Sequence, residues 1–160
     1  MKSNRSMQSI YFKSKLPLKY KSELERIFYF NINQKNHLKK IDEAVEVFGI
    51  PRLILDGNYV YFTFDKVTSF QVLYALDDED EDAHLLGVII FYSDLPTNIK
   101  IMHIAVDENC SSRGEFKEET IAARLIDEVR KISLALKSIK TLTLPYTSFK
   151  ISLRTNFSFY

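Results

Sequence analysis

Ile99-Lys-Ile-Met-His-Ile-Ala-Val106 is the stretch from which this chain is best read. It is apolar and β-branched at several positions, and turn-forming residues bound it, Pro96-Thr-Asn98 before and Asp107-Glu-Asn109 after, so it predicts a strand. A polar loop, Asp107 to Phe116, leads into the longest amphipathic pattern in the chain. Ile121, Leu125, Val129, Ile132 and Leu136 recur at spacings of three and four, while Glu118, Glu119, Asp127, Glu128, Arg130 and Lys131 take the other faces, which predicts a helix. Arg124 with Glu128, and Asp127 with Lys131, are opposite charges four apart on that helix. Where a strand feeds a helix N-terminus, unpaired N–H groups and the positive end of the dipole converge, a setting that attracts phosphates. Here the corner reads Asn109-Cys-Ser-Ser-Arg-Gly-Glu-Phe116, in which Arg113 is a fixed positive charge and Gly114 is free to take positive φ.

Upstream, Phe70 to Leu76 and His84 to Tyr92 read as an antiparallel pair joined by the acidic run Asp77-Asp-Glu-Asp-Glu-Asp82. That run is a solubilising loop tip that blunts unwanted pairing; contiguous carboxylates lack the spaced ligands of a calcium loop, so no metal is expected. Arg52 to Leu55 and Tyr59 to Phe64 flank Asp56-Gly57-Asn58, a hairpin signal. Aromatics at both parities of Tyr59 to Phe64 imply a strand covered on both faces, or one whose outer face meets a partner, and so offer the hairpin 52–64 as a homodimer surface. Before the hairpin, a helix from about His37 to Phe48 is predicted, with Leu38, Ile41, Val45 and Phe48 on one face, Asn36 at its start and Gly49 and Pro51 ending it. Leu18 to Phe30 follows Pro17 as another helix, and Ser9 to Lys13 is a short strand candidate. Downstream, Thr141 to Leu144 is a strand broken by Pro145, and the last fifteen residues suit a short helix or a strand equally. The order of elements implies an α+β fold, a single mixed, mostly antiparallel sheet flanked by helices, in one domain over residues 1–160.

A chain of 160 residues is large enough to bury a core, and 46% apolar with 27% charged residues is the balance of an ordinary globular protein. No apolar run reaches the roughly 20 residues that span a bilayer, and the start lacks a secretory apolar core, so no membrane partner and a cytoplasmic location are expected. The lone Cys110 forms no internal disulfide, in keeping with that compartment. Net charge of +1 argues against nucleic acid as a partner. Lysines and arginines of the first forty residues, Lys13, Lys15, Lys19, Lys21, Arg26, Lys35, Lys39 and Lys40 among them, read as solvated helix faces, with a surface for an anionic partner as the alternative.

From Phe70 onward the chain resembles the GNAT acyltransferases, which use acetyl-CoA. Ile99 to Val106 is similar to the family's central fourth strand, which ends in Val before a loop of the form Arg/Gln-x-x-Gly-x-Gly/Ala and a helix. His84-Leu-Leu-Gly-Val-Ile-Ile-Phe-Tyr92 resembles its third strand, Ile139 to Pro145 its fifth, and Ile151 to Phe159 its closing segment. The resemblance implies a GNAT-like domain that moves an acetyl group from acetyl-CoA to an amine acceptor. It implies further that the main chain of Ile104, Ala105 and Val106 holds the pantetheine arm, and that Ser111, Ser112, Arg113, Gly114, Glu115, Phe116 and Lys117 hold the diphosphate. The loop glycines of the family stand here as Phe116 and Glu118, and Ser152 stands where the family often has a Tyr general acid. The alternative is therefore a non-catalytic GNAT-like module that no longer binds the coenzyme, with Glu115, Glu118 and Glu119 taking over the dipole-stabilising role of the anion.

Acyl transfer needs donors at the thioester carbonyl, a route for the ammonium proton and a proton for the leaving thiolate. His103, on the strand nearest the expected thioester, is the candidate acid or base; alternation puts it on one face with Ile101 and Ala105, where it is equally a packed histidine. Ser152 and Tyr160 lie near the general-acid position. Cys110 reads as a spectator thiol, His84 as a surface residue and His37 as a helix-start residue.

Overall fold

β7 (Asn98–Val106) is the strand on which both halves of the core meet. The computed structural model describes residues 9–29, 38–108, 118–145 and 150–153. In chain order these form β1 (Tyr11–Lys13), β2 (Leu16–Pro17), a 3-10 turn (Leu18–Tyr20), α1 (Lys21–Tyr29), α2 (Leu38–Phe48), β3 (Arg52–Asp56) and β4 (Tyr59–Thr63). Then come β5 (Gln71–Leu76), β6 (Leu85–Leu95), β7, α3 (Glu118–Ala135), β8 (Thr141–Thr143) and β9 (Lys150–Ser152). The class is α+β, as expected.

The main sheet has the order β1-β5-β6-β7-β8-β9. β7 and β8 are its one parallel pair among the described residues, because α3 carries the chain back across the sheet between them; every other neighbour is antiparallel. β6 and β7 are buried along most of their length since both faces are covered. On one face lies α3, whose Ile121, Leu125 and Val129 are fully buried against Ile89, Phe91, Ile99, Ile101 and Val106. The helical periodicity thus marked the inner stripe correctly through Val129, while Leu136 is 48% exposed just past the helix end. Asp127 pairs with both Lys131, at 3.4 Å, and Arg130, at 2.9 Å, on the outer face.

The expectation of a single sheet is corrected by the hairpin. β3 and β4 join β2 in a separate three-stranded sheet of order β2-β4-β3. Val60 and Phe62 of β4 and Phe64 just after it fall on one parity, and an irregular link from Asp65 to Phe70 lets the hairpin turn over the main sheet. That position buries all three side chains against Tyr74, Val88, Ile90 and Met102, together with Leu24, Ile27 and Phe28 of α1. Extending the main sheet instead would leave that apolar row uncovered. The row of opposite parity, Tyr59 and Tyr61, faces outward.

α2 keeps the expected face at Ile41, Val45 and Phe48 and departs from it at Leu38. Its buried residues are Ala44 and Phe48, while Leu38 is 57% exposed. The helix is anchored at its C-terminal end, where Phe48 meets Tyr92 edge-on at 5.5 Å and Gly49, at φ 90°, donates its N–H to Val45 O at 2.8 Å. Among the described residues no helix is long and apolar enough to cross a membrane.

Gly87 of β6 sets how closely α3 sits on the sheet. A Cβ there would stand 2.9 Å from Ala105 O, 3.2 Å from Leu125 Cδ1 and 3.3 Å from Ile121 Cγ2. Gly→Ala in a strand ordinarily restricts the unfolded chain and stabilises, yet here the nearest atom is backbone and cannot swing away. Gly87→Ala is expected to cost about 1–3 kcal/mol in urea unfolding; a variant as stable as the parent would show that the helix rides higher than described.

Candidate functional site

The site is built from the two ends of β7, and a β-bulge separates them. Register with β6 runs Ile90 to His103 and then Phe91 to Ile101, so Met102 is the extra residue. Met102 and His103 consequently point to the same face, and the alternation changes phase between them. This corrects the expected facing of His103: it shares a face with Ala105, but Ile101 lies on the opposite face, under α3.

His103 is 3% exposed. Its ring lies parallel to Phe64, at 5.9 Å and 6°, and edge-on to Phe28 and Phe48 at 5.7 and 6.2 Å. Burial pushes its pKa down to about 4, because three aromatic neighbours solvate an imidazolium far less well than water does. It is therefore neutral near pH 7 and walled in, a setting that favours the packed histidine over acid–base duty on an incoming amine.

At the C-terminal end of β7 the chain passes from Val106 into Asp107, whose side chain is 2% exposed. A buried carboxylate needs a partner, and Arg26 of α1 supplies one in forked geometry, Nη1 to Oδ1 at 2.9 Å and Nη2 to Oδ2 at 3.3 Å. The hydrogen bond to Asp107 raises the Arg26 pKa further above its ordinary value, while partial burial opposes it. Asp107 N donates to Leu86 O at 2.8 Å, which fixes the strand end to β6. α1 is thereby tied to the corner where β7 leaves the sheet.

The opposite end carries a buried polar clasp. Asn98, 1% exposed, donates through Nδ2 to Asp94 Oδ1 at 2.6 Å and Thr143 Oγ1 at 3.0 Å, and its Oδ1 accepts from Thr141 Oγ1 at 2.7 Å. These bonds fix the parallel register, Asn98 with Thr141, Ile99 with Leu142 and Lys100 with Thr143. Among the described residues the pairing of β7 with β8 ends there, because Pro145 has no N–H to donate and holds Leu144 off the ladder.

Ile104 is half-buried on the α3 face, and Ala105 and Val106 are each 4% exposed, all three on the stretch of β7 beyond the β8 pairing. Ser152 is exposed on β9, opposite Thr141, which in turn lies beside Asn98. It sits two strands away, about 10 Å across the sheet, and roughly 16 Å back along β7 from His103. The structure therefore does not bring His103 and Ser152 together. Ser111, Ser112, Arg113, Gly114, Glu115, Phe116 and Lys117 lie outside the described residues, as do Asn36, His37, Cys110 and Tyr160; Glu118 begins α3. His84 is exposed, its N–H donating to Asp77 Oδ1 at 2.7 Å, and the acidic run is held to the 3-10 turn by Tyr20 Oη on Ala83 O at 2.7 Å and by Lys19 Nζ on Glu81 O.

A cavity of about 310 Å³ opens near the clasp, between the start of β5, the end of β6 and the last turn of α3, with Gln71, Ser93, Ile99 and Ser138 in its wall. Residues 99 and 106 are about 23 Å apart along an extended strand, so this cavity and the Asp107 corner are separate places. Arg26, Asp107 and Asn98 were missed as site residues from sequence. Arg26 reads locally as one more helix-face cation, and only the fold reveals that it reaches a residue 81 positions away. No protein-family model, no curated protein and no solved structure matches this chain.

Proposed function

We propose that this chain is a GNAT-like N-acyltransferase that moves an acetyl group from acetyl-CoA to an amine acceptor. The end of the described parallel pairing at Lys100 and Thr143, with β7 running on alone to Val106 toward α3, supports this reading. In this reading the two strands separate beyond that point. The pantetheine arm then lies beside Ile104, Ala105 and Val106, and the diphosphate on residues 111–117, which include Arg113 and precede the N-terminus of α3. The forked pairing of Asp107 with Arg26 suits such a ligand, since a bare carboxylate at that corner would repel it.

Transfer forms a C–N bond and breaks the thioester C–S bond, so the amine gives up a proton and the thiolate takes one. His103, at 3% exposure, serves the reading as a packing residue beside the bulge.

The second reading, a non-catalytic GNAT-like assembly module, is favoured by one observation: Ile54 and Leu55 of β3 are 46% and 55% exposed. Calorimetric titration with acetyl-CoA decides between the two. Micromolar binding that weakens roughly tenfold or more in Arg113→Ala is expected, the loss of one charged hydrogen-bond donor. Absence of heat at millimolar coenzyme overturns the acyltransferase.

A further inference from the structure

β3 is the outer strand of the small sheet: it pairs with β4 along one edge, and among the described residues no strand pairs with the other. The two-residue turn closes on Asp56 opposite Tyr59. In such a turn the flanking pair is the hydrogen-bonded one, so the backbone groups of Arg52, Ile54 and Asp56 face β4 and those of Leu53 and Leu55 face the open edge. Folded proteins usually guard an edge of this kind with prolines or several charges. Here its only charges are one cation and one anion, at opposite ends, with three aliphatic residues between them.

We infer that β3 is a self-association edge, pairing antiparallel with β3 of a second copy about a two-fold axis through Ile54. The sequence Arg52-Leu-Ile-Leu-Asp56 is complementary to itself in that orientation. Arg52 meets Asp56 of the second copy, Leu53 meets Leu55, and Ile54 meets its own counterpart. The same register sets the outward N–H and C=O groups of Leu53 against those of Leu55, in hydrogen-bonding phase. Shifting by two residues along the partner keeps that phase but sets Arg52 or Asp56 against an apolar side chain or beyond the strand. An isologous contact of this kind closes on itself and produces a dimer rather than a fibre.

Burial agrees with this occupant. Leu55 lies opposite Val60, which is 1% exposed, so it points to the core side, yet it is 55% exposed because the core ends before reaching it. Leu53 of a second copy would cover it. On the outer face Ile54 and Tyr59, 46% and 36% exposed, form the matching apolar row. Asp56 is exposed and in no ion pair among the described residues, while Arg52 has only an exposed contact with Asp65 at 3.4 Å to give up. None of the groups in this contact belongs to the β7 corner, so the dimer holds whether or not the chain transfers acyl groups.

Sedimentation velocity on the full chain tests this. The wild-type protein is expected to dimerise reversibly at tens of micromolar. Arg52→Glu and Asp56→Lys each turn two attractive pairs into repulsive ones, and each is expected to weaken the dimer roughly a hundredfold. Mixing the two variants restores both pairs, Glu with Lys and Asp with Arg, so the mixture dimerises where neither variant does alone. That rescue separates loss of the edge contact from misfolding. A wild-type chain that stays monomeric, dimers that survive either reversal, or a mixture that stays monomeric overturns the inference.

Discussion

Wild-type protein is expected to lose about 3 kcal/mol of stability from one group alone as pH falls from about 6.5 to about 4, and His103→Phe is expected to lack that loss. The unfolded histidine titrates near 6.5, and burial among Phe28, Phe48 and Phe64 pushes the folded value down to about 4. Between those values the unfolded chain carries a proton that the folded one refuses. Stability therefore rises with pH through this window: the contribution is fully present above 6.5 and gone below about 4, at up to about 1.4 kcal/mol per pH unit. Phenylalanine keeps a ring in the box and does not titrate. Urea melts at several pH values give the slope for each protein, and the slope, not the absolute stability, carries the answer. Parallel slopes above pH 5, where carboxylates contribute least, would show that water reaches the ring.

Arg26→Met is expected to destabilise by about 3 kcal/mol, since it leaves the carboxylate of Asp107, 2% exposed, without its cation. The aliphatic stem is kept, so the change reports on the fork at 2.9 and 3.3 Å and not on packing. Arg26→Lys keeps the charge but cannot present two parallel donors, and should recover part of the loss. A double-mutant cycle with Asp107→Asn isolates the coupling. Coupling below about 0.5 kcal/mol, the value of an ordinary exposed pair, would mean that Arg26 contributes nothing beyond a solvated charge.

The strand and helix on either side of the corner were legible because their patterns are local: a β-branched run between turns, and apolar residues at spacings of three and four. The hairpin was equally plain from Asp56-Gly57-Asn58. Its placement was not, since alternation tells which face of β4 is apolar but not what that face covers. The bulge at Met102 escaped for a related reason. Met and His both tolerate burial, and no residue in Ile99 to Val106 marks where the phase changes, so uniform alternation put Ile101 on the wrong side of the sheet relative to His103. The face of α2 was legible at Ile41, Val45 and Phe48, but not its extent, because Leu38 is apolar yet lies beyond the contact made by Ala44 and Phe48. Partnerships such as Arg26 with Asp107, or Asn98 with Thr141 and Thr143, join residues far apart in the chain, and nothing local to either member announces the other.

The hydrogen-bonded amide of Asn98 has a consequence for how the molecule assembles. β5, β6 and β7 form a meander whose links are short, so they can zip together early, whereas β8 returns only after α3 has been laid down and must find its lane across a long closed loop. A docking attempt one position out of step would turn Thr141 and Thr143 to the other side and strand their hydroxyls in hydrocarbon. Late arrival and strict proofreading thus belong together: the amide works as a latch that accepts β8 in a single alignment and sends every other one back into solution.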